Sequence, residues 1–151
     1  PIPLLAAGLA EVEAWPAALD GAGRALAARF WPGALTLVLP TPGGWEGFRV
    51  PDHPLTRAIL RAAGGVLRVT SANRSGGAPA LTAAEAAAAL GPQAALVVDA
   101  GRAPGGVPST VVRLEAGACA VLREGAIPAG AVRAVWAAAP SRAGTREEAS
   151  P

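Results

Sequence analysis

The chain has 151 residues, 52% of them hydrophobic, which predicts a single domain with a sizeable core. The formal net charge is +2, yet all 13 basic residues are arginine, so the lysine-dependent phosphate loop of many nucleotide-binding proteins is excluded. Arginine forms two-point contacts with carboxylates and phosphates, so this composition suits an anionic ligand without requiring one.

Cysteine and histidine each occur once, as Cys119 and His53. Cys119 cannot form an internal disulfide and lies in an apolar run, which is typical of a buried thiol in a reducing compartment. A single histidine leaves little basis for a histidine metal cluster, and no metal site is predicted. No run reaches the roughly 18 apolar residues of a membrane span, and no signal segment opens the chain. We therefore expect a soluble, cytoplasmic protein without a membrane partner.

The first third of the chain predicts two short helices, then two strands. Residues 8–31 are rich in alanine and leucine at helical spacing but are broken by proline and glycine, and Asp20 is a suitable N-cap for the second helix. The run ALTLVLP (34–40) predicts a buried strand, and TPGG predicts a turn. FRVP (48–51) predicts a short strand whose Arg49 needs either a partner on its face or a solvated sheet edge.

The stretch 65–82, GVLRVTSANRSGGAPALT, predicts a strand, a polar loop and a helix start. Before it, a helix is expected to begin at Asp52-His53-Pro54, with Asp52 near the N-cap and Pro54 in the first turn. After it, Thr82 and Glu85 form a capping-box pattern. The loop supplies hydroxyl, amide and unhindered N–H groups that suit an anion, although an ordinary turn uses the same residue types. The hydroxyls belong to Ser71 and Ser75, the amide to Asn73, and the unhindered N–H to Gly76.

The second half predicts a helix over 82–90, a buried strand over 96–98 and a loop that delivers Ser109 to another strand. A hairpin then returns to Arg123, and a last helix is expected over 128–139. This order of elements predicts an α/β or α+β class with a mixed sheet. We expect the two serine loops and the two strand-end arginines to converge on a phosphate or carboxylate. No paired-carboxylate acid/base site is predicted.

Five motifs together resemble the Sua5/YrdC/TsaC family of L-threonylcarbamoyladenylate synthases. They extend in the family's order from Trp31 to Gly125, and their joint occurrence is specific although each alone is weak. The motifs are WPGALTLVLP, FRVPDHPL, TSANRSG, GGVPSTVV and VLREG.

The resemblance implies a twisted, mixed parallel and antiparallel sheet with flanking helices around a concave ligand cavity. It implies condensation of L-threonine, bicarbonate and ATP to threonylcarbamoyl-AMP and pyrophosphate, a nucleotidyltransferase step towards the t6A mark at position 37 of tRNA. Implied partners are tRNA and downstream threonylcarbamoyl transferase proteins. Magnesium is expected to arrive with the ATP.

The resemblance also assigns residues. Arg49, Val69 and Ser109 correspond to positions at the threonine substrate. Positions that meet ATP correspond to Ser71, Asn73 and Arg123. These groups stabilise developing negative charge without reacting, so no catalytic residue is assigned.

The chain begins at Pro1 without a methionine, and PIPLL resembles the residues just after the family's K-x-R-P motif. We therefore expect a YrdC-like domain over residues 1–139 that lacks its N-terminal portion, and a flexible tail over 140–151. Whether such a chain is active stays open. Pro108 stands where the family often has glutamate.

Two other functions remain open at this point. One is a double-stranded RNA-binding or ribosome-maturation module, for which a basic concave face is required. The other is a carbamoyl-transfer domain of the hydrogenase-maturation type, which normally accompanies zinc-finger or acylphosphatase modules. The arginines that are candidates for the basic face are Arg24, Arg29, Arg57, Arg61, Arg68 and Arg74.

Overall fold

A computed structural model describes residues 2–115 and 117–139, in which one six-stranded sheet is flanked by helices. The strands are β1 (Leu4–Ala6), β2 (Leu35–Thr41), β3 (Gly44–Arg49), β4 (Val66–Arg68), β5 (Thr110–Glu115) and β6 (Ala118–Arg123). The helices are α1 (Leu9–Ala14), α2 (Gly21–Phe30), α3 (Pro54–Ala62), α4 (Ala83–Leu90) and α5 (Ala129–Ala138), and a 3-10 turn (Gly91–Gln93) follows α4. The predicted tail, 140–151, lies outside the described residues.

The sheet is mixed, and its strand order is β4-β1-β3-β2-β5-β6. The pairs β1/β3 and β2/β5 are parallel, and the other three neighbouring pairs are antiparallel. Because Leu35 pairs with Thr110 and Leu37 pairs with Phe48, the starts of β2 and β5 lie beside the end of β3. The end of β6 lies there too, since Arg123 pairs with Val111. The predicted mixed α/β class is confirmed.

One face of the sheet carries the hydrophobic core. Side chains alternate between the two faces of a strand, and on this face Leu35, Leu37 and Leu39 are fully buried. They pack in one cluster with buried side chains of α2 and α5, such as Leu26 and Val132. Burial of these aliphatic groups is the main force that holds the helices on the sheet.

The other face, called here the open face, carries polar and charged side chains. A Cβ built at Gly47 would lie 3.4 Å from Thr36 Cγ2 and 3.9 Å from Val38 Cγ2, so these positions share one face. Apart from Thr36, the members of this face keep part of their surface exposed. By alternation and strand pairing, the open face includes Thr36, Val38, Trp45, Gly47, Arg49, Val111 and Arg113.

Several local predictions are confirmed. Asp20 caps α2, since its Oδ1 accepts a hydrogen bond from the N–H of Gly23 at 2.7 Å. Thr82 and Glu85 form the reciprocal capping box at the start of α4. Cys119, predicted to be buried, is only partly buried; burial raises the pKa of its thiol, while the charge of Arg133 acts to lower it.

Among the described residues, no helix combines the length and apolar character needed to cross a membrane.

One local prediction is wrong. Residues 96–98 form no strand, and the side chains of Leu96, Val97 and Val98 are 80%, 42% and 49% exposed. An apolar run becomes a strand only where it pairs with another strand, and residues 96–98 pair with none of the six strands of the sheet. The helix α3 begins beside Asp52 with Pro54 in its first turn, as predicted, and its N-cap is His53, whose Nδ1 accepts the N–H of Thr56 at 3.3 Å.

Candidate functional site

The clearest polar cluster joins β2, β5 and β6 through Ser109. The hydroxyls of Thr36 and Ser109 lie 2.8 Å apart and share a hydrogen bond, and both residues are more than 90% buried. Arg123 donates from Nη2 to the carbonyl oxygen of Ser109 at 2.8 Å and to its Oγ at 3.3 Å. The parallel pairing of β2 with β5 brings the two hydroxyls together. Because one hydroxyl donates to the other, one hydroxyl hydrogen and the guanidinium group of Arg123 remain as convergent donors for an oxyanion.

Thr110 fixes the chain that follows Arg123. Its side chain is fully buried, and its Oγ1 donates to the carbonyl oxygen of Ile127 at 2.6 Å. The same oxygen accepts the N–H groups of Gly125 at 2.9 Å and Ile127 at 3.0 Å. One donor and two acceptor sites are the full capacity of a hydroxyl. Any side chain at residue 125 would overlap the carbonyl oxygen of Pro108, which explains the glycine of VLREG.

We expect the substitution Thr110→Val to lower the free energy of unfolding by about 2–4 kcal/mol, because it leaves two buried N–H groups and one carbonyl without their partner. Thr110→Ser keeps the hydroxyl and should lose only about 1 kcal/mol, the cost of one buried methyl group. Urea unfolding followed by circular dichroism measures both variants. Equal losses would show that the three hydrogen bonds of Thr110 do not hold this turn.

Arg49 ends β3 on the open face, beside the start of β2. Its Nε donates to the carbonyl oxygen of Gly33 at 2.8 Å, and Gly33 in turn donates its N–H to Val50 at 2.8 Å. Burial lowers the pKa of the Arg49 guanidinium, which still remains protonated near neutral pH. The sequence-predicted residues Arg49, Ser109 and Arg123 therefore lie at the same end of the sheet.

The predicted loop after β4 lies elsewhere in the fold. β4 is an edge strand, separated from β5 by three strands. Ser71 Oγ donates to Asn73 Oδ1, and Asn73 Nδ2 donates to the carbonyl oxygen of Arg74 at 2.8 Å. These two side chains thus bond within their own loop rather than to the Ser109 cluster. Val69 donates its N–H to the carbonyl oxygen of Pro3 at 3.1 Å, and Pro3 has no N–H to donate in return.

A cavity of about 520 Å³ lies beside this loop. It is lined by Asn73, Arg74 and Ser75 on one side, and by the last turn of α4 and the 3-10 turn on the other. Asn73 therefore borders a space large enough for part of a small-molecule ligand.

Two contributors were missed by sequence reasoning, Thr36 and Thr110. Thr36 interrupts the apolar run ALTLVLP, and alternation along a buried strand directs such a hydroxyl to the face opposite the leucines. This pattern was available in the sequence, but its partner Ser109 is 73 residues away. Within residues 2–115 and 117–139, no group of three or more His, Cys, Asp or Glu side chains is arranged to hold a metal ion.

Comparison with known proteins identifies relatives of this chain. The family model Sua5_yciO_yrdC, described as "Telomere recombination", matches residues 1–125. A threonylcarbamoyl-AMP synthase of Chromohalobacter salexigens is 37% identical over 124 residues, which are 76% of this chain and 66% of that protein. A threonylcarbamoyl-AMP synthase of Bacillus subtilis is 37% identical over 123 residues, which are 74% of this chain and 36% of that protein.

Solved structures of similar fold agree with these relatives. P. abyssi Sua5 complexed with L-threonine has a TM-score of 0.80 and 27% identity, over 89% of this chain and 43% of that one. E. coli YciO has a TM-score of 0.72 and 26% identity, over 83% of this chain and 66% of that one. The chain therefore spans between about a third and two thirds of the length of these relatives.

Proposed function

This chain belongs to the Sua5/YrdC family, and on that premise we propose that it forms the substrate-binding domain of a threonylcarbamoyl-AMP synthase. The proposed reaction joins L-threonine and bicarbonate and transfers the AMP part of ATP to the product, with release of pyrophosphate. This nucleotidyl transfer is the step that supplies the t6A modification of tRNA. A cytoplasmic location, where ATP and tRNA are available, belongs to the same proposal.

The observation that carries this proposal is the cluster of Arg49, Ser109 and Arg123 at one end of the sheet. Carbamate formation and adenylation both place negative charge on oxygen atoms, and fixed donors stabilise such charge without having to reorganise. Arg123 is held by Ser109 and Arg49 by Gly33, so neither guanidinium group has to be ordered when the substrate binds.

We assign roles to these residues as part of the proposal. Arg49, Ser109 and the carbonyl of Val69 contact L-threonine, whose carboxylate suits a guanidinium group and whose hydroxyl suits a serine. The ATP ligands are Arg123 together with Ser71 and Asn73, whose loop supplies hydroxyl and amide donors. Magnesium accompanies the triphosphate, as is usual for a cation that prefers phosphate oxygens and water.

An assay of pyrophosphate release from ATP tests this function. We expect release to require both L-threonine and bicarbonate, and to fall to background when L-alanine replaces L-threonine. Ser109→Ala should raise the KM for L-threonine, and Ser71→Ala should raise the KM for ATP, each by about tenfold. Release that is independent of L-threonine would contradict the proposal, and equal effects of both variants on both substrates would contradict the assigned roles.

Double-stranded RNA binding is the competing proposal, and the structure offers it limited support. Arg24 donates from Nε to Glu13 at 2.7 Å, and Arg68 forms two hydrogen bonds with Glu46. The carboxylates neutralise these two members of the candidate basic face. RNA binding that weakens steeply with salt and is indifferent to ATP would favour the RNA-binding module instead.

A further inference from the structure

The arginines on the sheet differ in how their Nε atoms are bonded. Arg49 and Arg123 each donate from Nε to a backbone carbonyl oxygen, at 2.8 Å and 3.2 Å respectively. Arg113 on β5 is different, because within the part of the chain that the structure describes its Nε is buried and has no acceptor. A buried donor without a partner costs about 1–3 kcal/mol, so this arrangement calls for an explanation.

Two neighbours hold the Arg113 side chain. Its Cζ lies 5.2 Å from the centroid of the Trp45 ring, which is cation–π geometry. Its Nη2 lies 3.5 Å from a carboxylate oxygen of Glu115, a separation too long for a strong hydrogen bond. The Arg113 and Glu115 side chains are 43% and 57% exposed, so their ion pair is weak. The guanidinium group therefore stacks on the Trp45 ring, and its Nε–H is available to a ligand.

The position of Arg113 relates it to the proposed nucleotide site. Val38 pairs with Gly47 on one side and with Arg113 on the other, which places all three on the open face. Val111, two residues before Arg113, pairs with Arg123. The Arg123 guanidinium is bonded to Ser109, four residues before Arg113. Four residues of a strand span about 13 Å, so Arg113 lies further along the same face than the Ser109 cluster.

We propose that Arg113, supported by Trp45, is a second oxyanion subsite on the open face that binds a phosphate group of the nucleotide. This inference rests on the proposed function. The Nε and Nη donors of one arginine match two oxygens of a phosphate. Rotation of the guanidinium away from Glu115 gives the unpaired Nε a phosphate oxygen as its acceptor.

Calorimetric titration with ATP and with inorganic tripolyphosphate tests the subsite. We expect Arg113→Gln to weaken the binding of both probes by roughly tenfold, the worth of a charge-assisted hydrogen bond. Glu115→Gln removes the competing carboxylate and should tighten both by about twofold. Arg133→Gln is the matched control, since Arg133 is exposed on α5, which packs against the opposite face. Its binding of both probes should equal that of the unaltered chain.

Two further measurements distinguish loss of phosphate binding at Arg113 from misfolding and from loss of an RNA contact. Arg113→Lys keeps the positive charge but loses the planar pair of donors of the guanidinium group. Its affinity for tripolyphosphate should therefore lie between those of the unaltered chain and Arg113→Gln. Saturation with tripolyphosphate should change the tryptophan emission, and Trp45→Phe should abolish that change. Loss of affinity for duplex RNA alone in Arg113→Gln would overturn the inference in favour of an RNA contact.

The remaining outcomes distinguish this inference from the function on which it rests. Unaltered tripolyphosphate binding in Arg113→Gln, with binding lost in Arg123→Ala, would overturn the Arg113 subsite and leave the nucleotide function intact. Failure of the unaltered chain to bind either ATP or tripolyphosphate would overturn both.

Discussion

Replacing Arg123 with alanine is expected to weaken ATP binding by about 10- to 100-fold, since a hydrogen bond to a charged group contributes about 1.5–3 kcal/mol. Arg123 is positioned by three hydrogen bonds to Ser109, one of them to the side-chain hydroxyl. The substitution removes the guanidinium group and also releases the Ser109 hydroxyl, which then keeps only Thr36 as a partner. The KM for L-threonine should therefore rise as well, by a smaller factor.

Arg133→Ala is the control for this prediction, because it removes the same charge from the helix layer behind the sheet. Both variants should unfold within about 0.5 kcal/mol of the unaltered chain if the effect is on binding alone. Calorimetric titration with ATP gives the dissociation constants. Equal weakening in the two variants would mean that net charge, rather than the position of Arg123 beside Ser109, determines nucleotide affinity.

Most of the fold could be predicted because its signals are local. The cap of α2 by Asp20 and the capping box of Thr82 with Glu85 depend on residues three positions apart, and the hairpin of β5 and β6 joins strands that follow one another in the chain. Such interactions leave a pattern that a single sequence displays. The parallel pairing of β2 with β5 leaves no such pattern, since each of its residue pairs is 75 positions apart in the chain.

The candidate site could be predicted only in part, for the same reason. The resemblance of the motifs pointed to Ser109 and Arg123, which the structure places in contact. It gave no indication of Thr36, whose hydroxyl reaches Ser109 only through the tertiary fold, or of Arg113, whose contact with Trp45 joins two different hairpins. The strand predicted at 96–98 failed because apolar composition was its only support, and tertiary pairing decides whether such a run joins a sheet.

The Arg49 site depends on the core directly beneath it, and Phe48 is the residue that joins the two. Phe48 is fully buried, lies between Leu4 of β1 and Leu37 of β2, and meets the Trp15 ring edge-on at 6.1 Å. Its side chain faces the core while that of its neighbour Arg49 faces the opposite side of the same strand. A change in the packing of Phe48 therefore lowers the stability of the core directly and affects the position of Arg49 only indirectly.

Phe48→Ala is expected to lower the free energy of unfolding by about 3–5 kcal/mol, the cost of lost burial and of the cavity left behind. That loss is a large fraction of the roughly 5–15 kcal/mol that stabilises a domain. Urea unfolding followed by tryptophan fluorescence measures it. Leu122→Ala is the control, because Leu122 is 55% exposed on β6 and its truncation should cost less than about 0.5 kcal/mol.

Phe48→Leu is the second variant, for use if Phe48→Ala does not fold. It retains most of the buried volume, so its loss in free energy of unfolding should lie between those of Phe48→Ala and Leu122→Ala. In the folded Phe48→Leu variant, the KM for L-threonine should change less than it does in Ser109→Ala, because Arg49 keeps its hydrogen bond to Gly33. A stability equal to that of the unaltered chain in both Phe48 variants would mean that the sheet does not rely on this core. The placement of Arg49 beside Thr36 and Ser109 would then lose its physical basis.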